Sequence, residues 1–197
     1  MTSIRNIIDR YKHMRSINQL RQVPIGQYAF VGFGNHSTSN LYPVLDYLHV
    51  PLKYICCKSE DKAQLIKTVY PHIHVTLSLQ ELLDDEEVKG VLVAVSPQEH
   101  FQIASAVLKS GKAIFIEKPP CQNMDELMQL VNISRSTKVS SVVGLQKRQA
   151  PVIRILKKEL GKCKRVMTYN LKYLTGAYPE GDALMDLYIH PLDYVTY

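Results

Sequence analysis

Short apolar runs recur along this chain, each followed by a stretch of helical period. Tyr28-Ala29-Phe30-Val31, Leu52-Lys53-Tyr54-Ile55-Cys56-Cys57, Gly90-Val91-Leu92-Val93-Ala94-Val95 and Ile114-Phe115-Ile116 read as strands, with shorter ones around His74-Val75-Thr76 and from Ser141 to Gly144. Runs that are apolar at odd and even positions alike suit parallel strands buried on both faces. Between them the apolar residues return at helical spacing: Leu41, Val44, Leu45 and Leu48; Asp61 to Val69; Leu79 to Leu83; Phe101 to Lys109, with Pro97 at its start; and Met124 to Ser134. This alternation predicts an α/β fold, a doubly wound parallel sheet with right-handed crossovers.

Both ends depart from that rhythm. Ile4, Ile7, Ile8, Tyr11 and Met14 lie on one face of a helix with Arg5, Arg10, Lys12 and Arg15 between them, so residues 1–22 are expected to dock on the main domain or on a second subunit. Val23-Pro24-Ile25-Gly26 is a linker. After Gly144 a basic helix runs from Lys147 to Leu160, interrupted early by Pro151, and Arg165 to Tyr173 alternates like a half-exposed strand. The segment from Gly181 to Asp193 carries Asp186 and His190, four apart and therefore on one face of a helix. The predicted organisation is a leader helix (1–22), a main domain (23–146) and a truncated second α+β domain (147–197).

Charge and cysteine content narrow the function classes. The net charge of +6 is local: residues 1–22 hold five Lys/Arg against one Asp, residues 147–172 hold nine against one Glu, and 23–146 hold ten basic against twelve acidic residues. There is no aromatic interleaving or nucleic-acid motif, so no nucleic-acid partner is expected. No apolar run approaches the ~18 residues of a membrane span, and no membrane partner is expected. Cys56, Cys57, Cys121 and Cys163 form no Cys-x-x-Cys pair, which suits reduced thiols in a cytoplasmic setting. His72 and His74 have no well-placed third ligand, and no metal is expected.

Two stretches carry candidate chemistry. Gly32-Phe33-Gly34-Asn35-His36-Ser37 joins the first strand to a helix, the context a dinucleotide fingerprint requires. Gly32 would permit the tight turn, Gly34 would let the backbone approach a pyrophosphate, and Phe33, Asn35 and His36 complete the turn. Ser37 stands in place of a third glycine, small enough for close packing and with a hydroxyl able to cap the helix. The second strand runs out into Lys58 and Ser59, where a carboxylate usually meets the ribose hydroxyls of NAD; a cation and a hydroxyl suit the 2′-phosphate of NADP better, with Glu60 and Asp61 close behind. The other stretch is Ile114-Phe115-Ile116-Glu117-Lys118-Pro119-Pro120, which places Lys118 at the carboxyl end of a buried strand, where open α/β sheets bind ligands.

With Ser96-Pro97, His100, Gly111-Lys112, Asp186 and His190, these markers resemble the Gfo/Idh/MocA oxidoreductases from about Ala29 onward. The resemblance implies a Rossmann domain binding NAD or NADP, with Ser96, Pro97, His100, Glu117 and Lys118 on the cofactor side. It also implies a catalytic trio of Lys118, Asp186 and His190 acting on a hydroxyl or ketone of a sugar, nucleotide sugar or cyclitol. In that chemistry His190 suits a general base, Lys118 stabilises charge developing on oxygen, and Asp186 orients His190 or the substrate. Tyr188 stands where such proteins often have glycine and would narrow the substrate pocket. A complete second-domain sheet would form a homo-oligomer. The competing expectation is a non-catalytic NAD(P)-binding protein with a regulatory or partner-binding role.

Overall fold

The computed structural model describes residues 26–163, 168, 170, 172 and 187–196. The leader helix, most of the predicted Arg165–Tyr173 strand, and Asp186 lie outside the described residues. The chain forms two compact units, Met1–Ala94 and Val95–Tyr197, so the division falls inside the predicted main domain.

In the first unit the strands are β1 (Gln27–Val31), β2 (Leu52–Cys56), β3 (His74–Thr76) and β4 (Val88–Val93), and the helices are α1 (Tyr42–Tyr47), α2 (Glu60–Val69) and α3 (Leu79–Asp84). All pairings are parallel: β1 with β2, β2 with β3, and β1 with β4 on its other side. The order β3-β2-β1-β4 means the chain winds outward, then returns across β1. Such a reversal opens a crevice at the carboxyl ends of the strands it separates. Phe30, Tyr42, Leu45, Ile55, Cys57, Ala63 and Ile66 form the core that joins strands to helices.

The helix after β1 opens at Asn35 and His36 and passes at once into a π-helical turn, Ser37–Leu41, in which Tyr42 N–H reaches back to the Ser37 carbonyl. Pro43 follows Tyr42; in a regular α-helical turn its ring would clash with the carbonyl four residues earlier, and its nitrogen donates nothing. Widening the preceding turn is one of the few ways a helix accommodates this. The helical pattern through Leu41 and Leu45 survives, and Tyr42 and Leu45 are buried.

The second unit contains α4 (Pro97–Lys109), β5 (Ala113–Ile116), α5 (Met124–Thr137), β6 (Ser141–Val143), a 3-10 turn (Gln146–Gln149), α6 (Pro151–Leu160) and α7 (Ile189–Thr196). β5 and β6 pair in parallel, and α4 packs on α5 and β5. Asn123 caps α5, its side-chain oxygen accepting the Glu126 N–H at 2.9 Å. The predicted Lys147–Leu160 helix is two elements. Pro151 forces Ala150 into an extended conformation (ψ 133°) and then begins α6, as expected for proline at a first helical position. The parallel α/β class read from the sequence is the one observed. Among the described residues no helix is long and apolar enough to cross a membrane.

Candidate functional site

The glycine turn lies at the carboxyl end of β1 and is fastened on several sides. Gly32 has φ +115°, a conformation that side chains with a Cβ rarely adopt. Its N–H donates to the Cys56 carbonyl at 2.9 Å, and its own carbonyl accepts the Tyr42 hydroxyl at 3.0 Å. Tyr42 is buried against Phe30, Phe33 and Tyr70, and burial holds its hydroxyl well above the ordinary tyrosine range. A Cβ placed on Gly34 would meet nothing within 4 Å, so the backbone there is open to close approach. Asn35 and His36 open the helix at the exposed end of the same turn.

Ser37 does not play the capping part its position suggested. It is buried inside the first turn, where its hydroxyl accepts the Gly34 N–H at 3.0 Å and donates to the Gly34 carbonyl at 2.9 Å. It therefore stiffens the turn. At the end of β2, Lys58 is exposed and Ser59 caps α2, accepting the Lys62 N–H at 3.4 Å. Glu60 and Asp61 occupy the first turn of α2, where carboxylates favour the positive helix end. Gly32, an open Gly34 and a helix N-terminus fit the pyrophosphate of a dinucleotide.

The second unit holds the Glu117-Lys118-Pro119 stretch just past β5. Glu117 is buried, and its carboxylate accepts the Lys118 N–H at 3.2 Å. The Lys118–Pro119 peptide is cis. His100, in the first turn of α4, is 1% exposed; its Nδ1 lies 2.6 Å from the Pro119 carbonyl oxygen and its Nε2 3.1 Å from that of Val95. His100 thus fastens the segment that carries Lys118 rather than presenting its ring outward. Ser96 and Pro97 form the start of α4, with Ser96 exposed.

His190 lies on α7 and is 4% exposed. Its Nδ1 is enclosed with no hydrogen-bond partner among the described residues. Burial, then the charges of Lys147 and Lys118, push its pKa below the usual histidine value, while Asp193 and Glu117 oppose them. A neutral imidazole facing an ammonium group can accept a proton beside a group that stabilises negative charge on oxygen. Of the predicted trio the structure brings Lys118 and His190 into one electrostatic neighbourhood, and Asp186 is outside the described residues. Tyr188, next but one to His190, is 48% exposed.

Three residues of this neighbourhood escaped the sequence reading. The charge of Lys147 acts on His190, and Arg148 grips Asp193: its Nε lies 2.9 and 2.7 Å from the two carboxylate oxygens, with Nη2 also on Oδ1. The His-x-x-Asp spacing was a readable sign that both side chains share a helix face. Elsewhere, His74 pairs with Glu81 at 2.8 Å. The Cys56 thiol is pushed up to about 11 by burial, and Cys57 and Cys121 are raised for the same reason.

Residues 27–145 match the model of the oxidoreductase family with an NAD-binding Rossmann fold, GFO_IDH_MocA. The chain belongs to this family. It is 31% identical over 112 residues to the uncharacterized oxidoreductase YhhX of Escherichia coli, a match covering 55% of this chain and 32% of YhhX. The solved structure of Bacillus subtilis yvaA superposes with TM-score 0.73 at 22% identity, over 87% of this chain and 52% of that one. The WlbA dehydrogenase of Bordetella pertussis, solved with NADH and UDP-GlcNAcA, shares the fold at TM-score 0.63 and 18% identity, over 71% and 42% of the two chains. The chain thus spans from about a third to about half the length of these relatives.

Proposed function

We propose that this chain belongs to an oxidoreductase that moves a hydride between NADP or NAD and a hydroxyl or ketone carbon of a sugar, nucleotide sugar or cyclitol. The observation that carries this reading is the buried His190 imidazole, held towards its neutral form by burial and by the charges of Lys147 and Lys118. The turn Gly32–His36 would hold the pyrophosphate, and Lys58 with Ser59 would meet the adenosine ribose, favouring its 2′-phosphate. The nicotinamide ring supplies the hydride acceptor or donor. Lys118 hydrogen-bonds the reacting oxygen and stabilises its negative charge, while His190 takes up or returns the hydroxyl proton. Family membership supports the nicotinamide cofactor, and the nucleotide sugar bound by WlbA supports the substrate class.

Calorimetric titration with NADPH and with NADH tests the cofactor half: tighter NADPH binding is expected, tighter NADH binding removes the NADP preference, and binding of neither removes the reading. Lys118→Ala tests the chemical half. Turnover on a panel of sugars and nucleotide sugars, measured at saturating cofactor, should be lost in this variant. Unimpaired turnover would instead leave a cofactor-binding protein whose lysine has no chemical part.

A further inference from the structure

An ion pair joins the 3-10 turn Gln146–Gln149 to α7, and it sits beside the proposed base. Asp193 is nearly enclosed, its side chain 6% exposed, and Arg148 meets both carboxylate oxygens through Nε and Nη2. A fork of this kind fixes direction as well as distance, which a lysine cannot do. His190 and Asp193 lie three apart on the buried side of α7, so whatever orients one orients the other. The turn that carries Arg148 is itself tied to the strand that delivers Lys118, because the Gly144 N–H donates to the Ile116 carbonyl at 2.7 Å.

We propose that Arg148 and Asp193 are positioning residues for the reaction: their ion pair sets the place of the His190 imidazole relative to Lys118. The assignment rests on the oxidoreductase reading for its purpose, though not for its test. Among the described residues the charged groups acting on the ring are Lys118 and Glu117 from the end of β5, Lys147 from the 3-10 turn, and Asp193 from α7 itself, with Arg148 reaching it through Asp193. The two lysines disfavour the imidazolium, and the Asp193 and Glu117 carboxylates oppose them. A clamp that merely held α7 would leave the His190 ring resonances unmoved when only the fork is lost.

The test is an NMR titration of the His190 ring in the histidine-labelled 197-residue chain, made without any substrate. Asp193→Asn keeps the shape but removes the carboxylate charge, and it is expected to lower the His190 midpoint by about half a pH unit, the scale of one partly screened charge a helix turn away. An unmoved midpoint in a folded Asp193→Asn chain overturns the proposal. Arg148→Lys keeps the charge and loses the fork, so the midpoint should hold while the ring resonances shift as the imidazole moves. Ring resonances identical to the parent overturn the proposal even if the asparagine variant fails to fold. Hydride transfer does not enter these readouts, so failure of the oxidoreductase reading would be seen separately, in the cofactor titrations.

Discussion

A Cβ on Gly144 would stand 3.0 Å from both the carboxyl carbon and Oε1 of Glu117. Glycine just past β6 thus leaves a tight space to a carboxylate that is buried and engaged with the Lys118 N–H. Gly144→Ala is expected to displace that carboxylate and to cost about 1–2 kcal/mol, as overpacking does. Urea unfolding measures it; an unchanged midpoint would mean that Glu117 yields freely.

Tyr42 reaches the Gly32 carbonyl across the first unit, and Phe at this position keeps the aromatic packing while deleting the donor. Tyr42→Phe should lower stability by about 1 kcal/mol, the usual net worth of such a hydrogen bond. Because the lost bond holds the turn itself, nucleotide affinity should fall in the same variant. Thermal unfolding with calorimetry separates the two effects.

The acid side of the stability curve should carry a mark of His190. Its folded-state pKa lies below the ordinary value because burial and the lysines disfavour the imidazolium. Between the folded value and about 6.5 the unfolded chain holds more protons, so this contribution is complete above about pH 6.5 and declines as pH falls through the folded value. Unfolding free energy should drop less from pH 7.5 to 5 in His190→Gln than in the parent. Parallel curves would remove the effect.

At the end of β2 two roles converge. Ser59→Ala removes the α2 cap and should cost about 1 kcal/mol, against a few tenths for glycine. Lys58→Ala touches no cap and should weaken NADPH about tenfold while sparing NADH, the scale of a hydrogen bond to a charged group. Equal losses for both cofactors would deny Lys58 a part in choosing between them.

Thiol labelling gives a quick check of the packing. Cys163 is exposed, whereas Cys56, Cys57 and Cys121 are buried with thiols raised above their usual range. Iodoacetamide at neutral pH should modify the native chain once, at Cys163, and all four positions after denaturation.

Strands such as Phe30-Val31 and Ile114–Ile116 announced themselves because two-sided burial demands unbroken apolar runs, and Gly32 did so because few residues tolerate its backbone angle. What stayed hidden depends on distance or on company. Nothing near Arg148 says that Asp193 will take its guanidinium, and nothing near Gly144 names Glu117 as its neighbour. Ser37 was expected at a helix cap; the π-helical turn ahead of Pro43 accompanies its place inside the first turn, closed on Gly34. The resemblance put His100 on the cofactor side, and only the fold shows its ring buried with Nδ1 against the Pro119 carbonyl.

Arg148 and Asp193 are 45 residues apart in sequence. Closing a loop of that size is an entropic expense that no local helix signal can meet. During synthesis the glycine turn and the Lys118 strand can be complete while the arginine still waits for its carboxylate. The proposed proton acceptor therefore reaches its post after the strand that delivers Lys118, later than the stretches whose contacts are local.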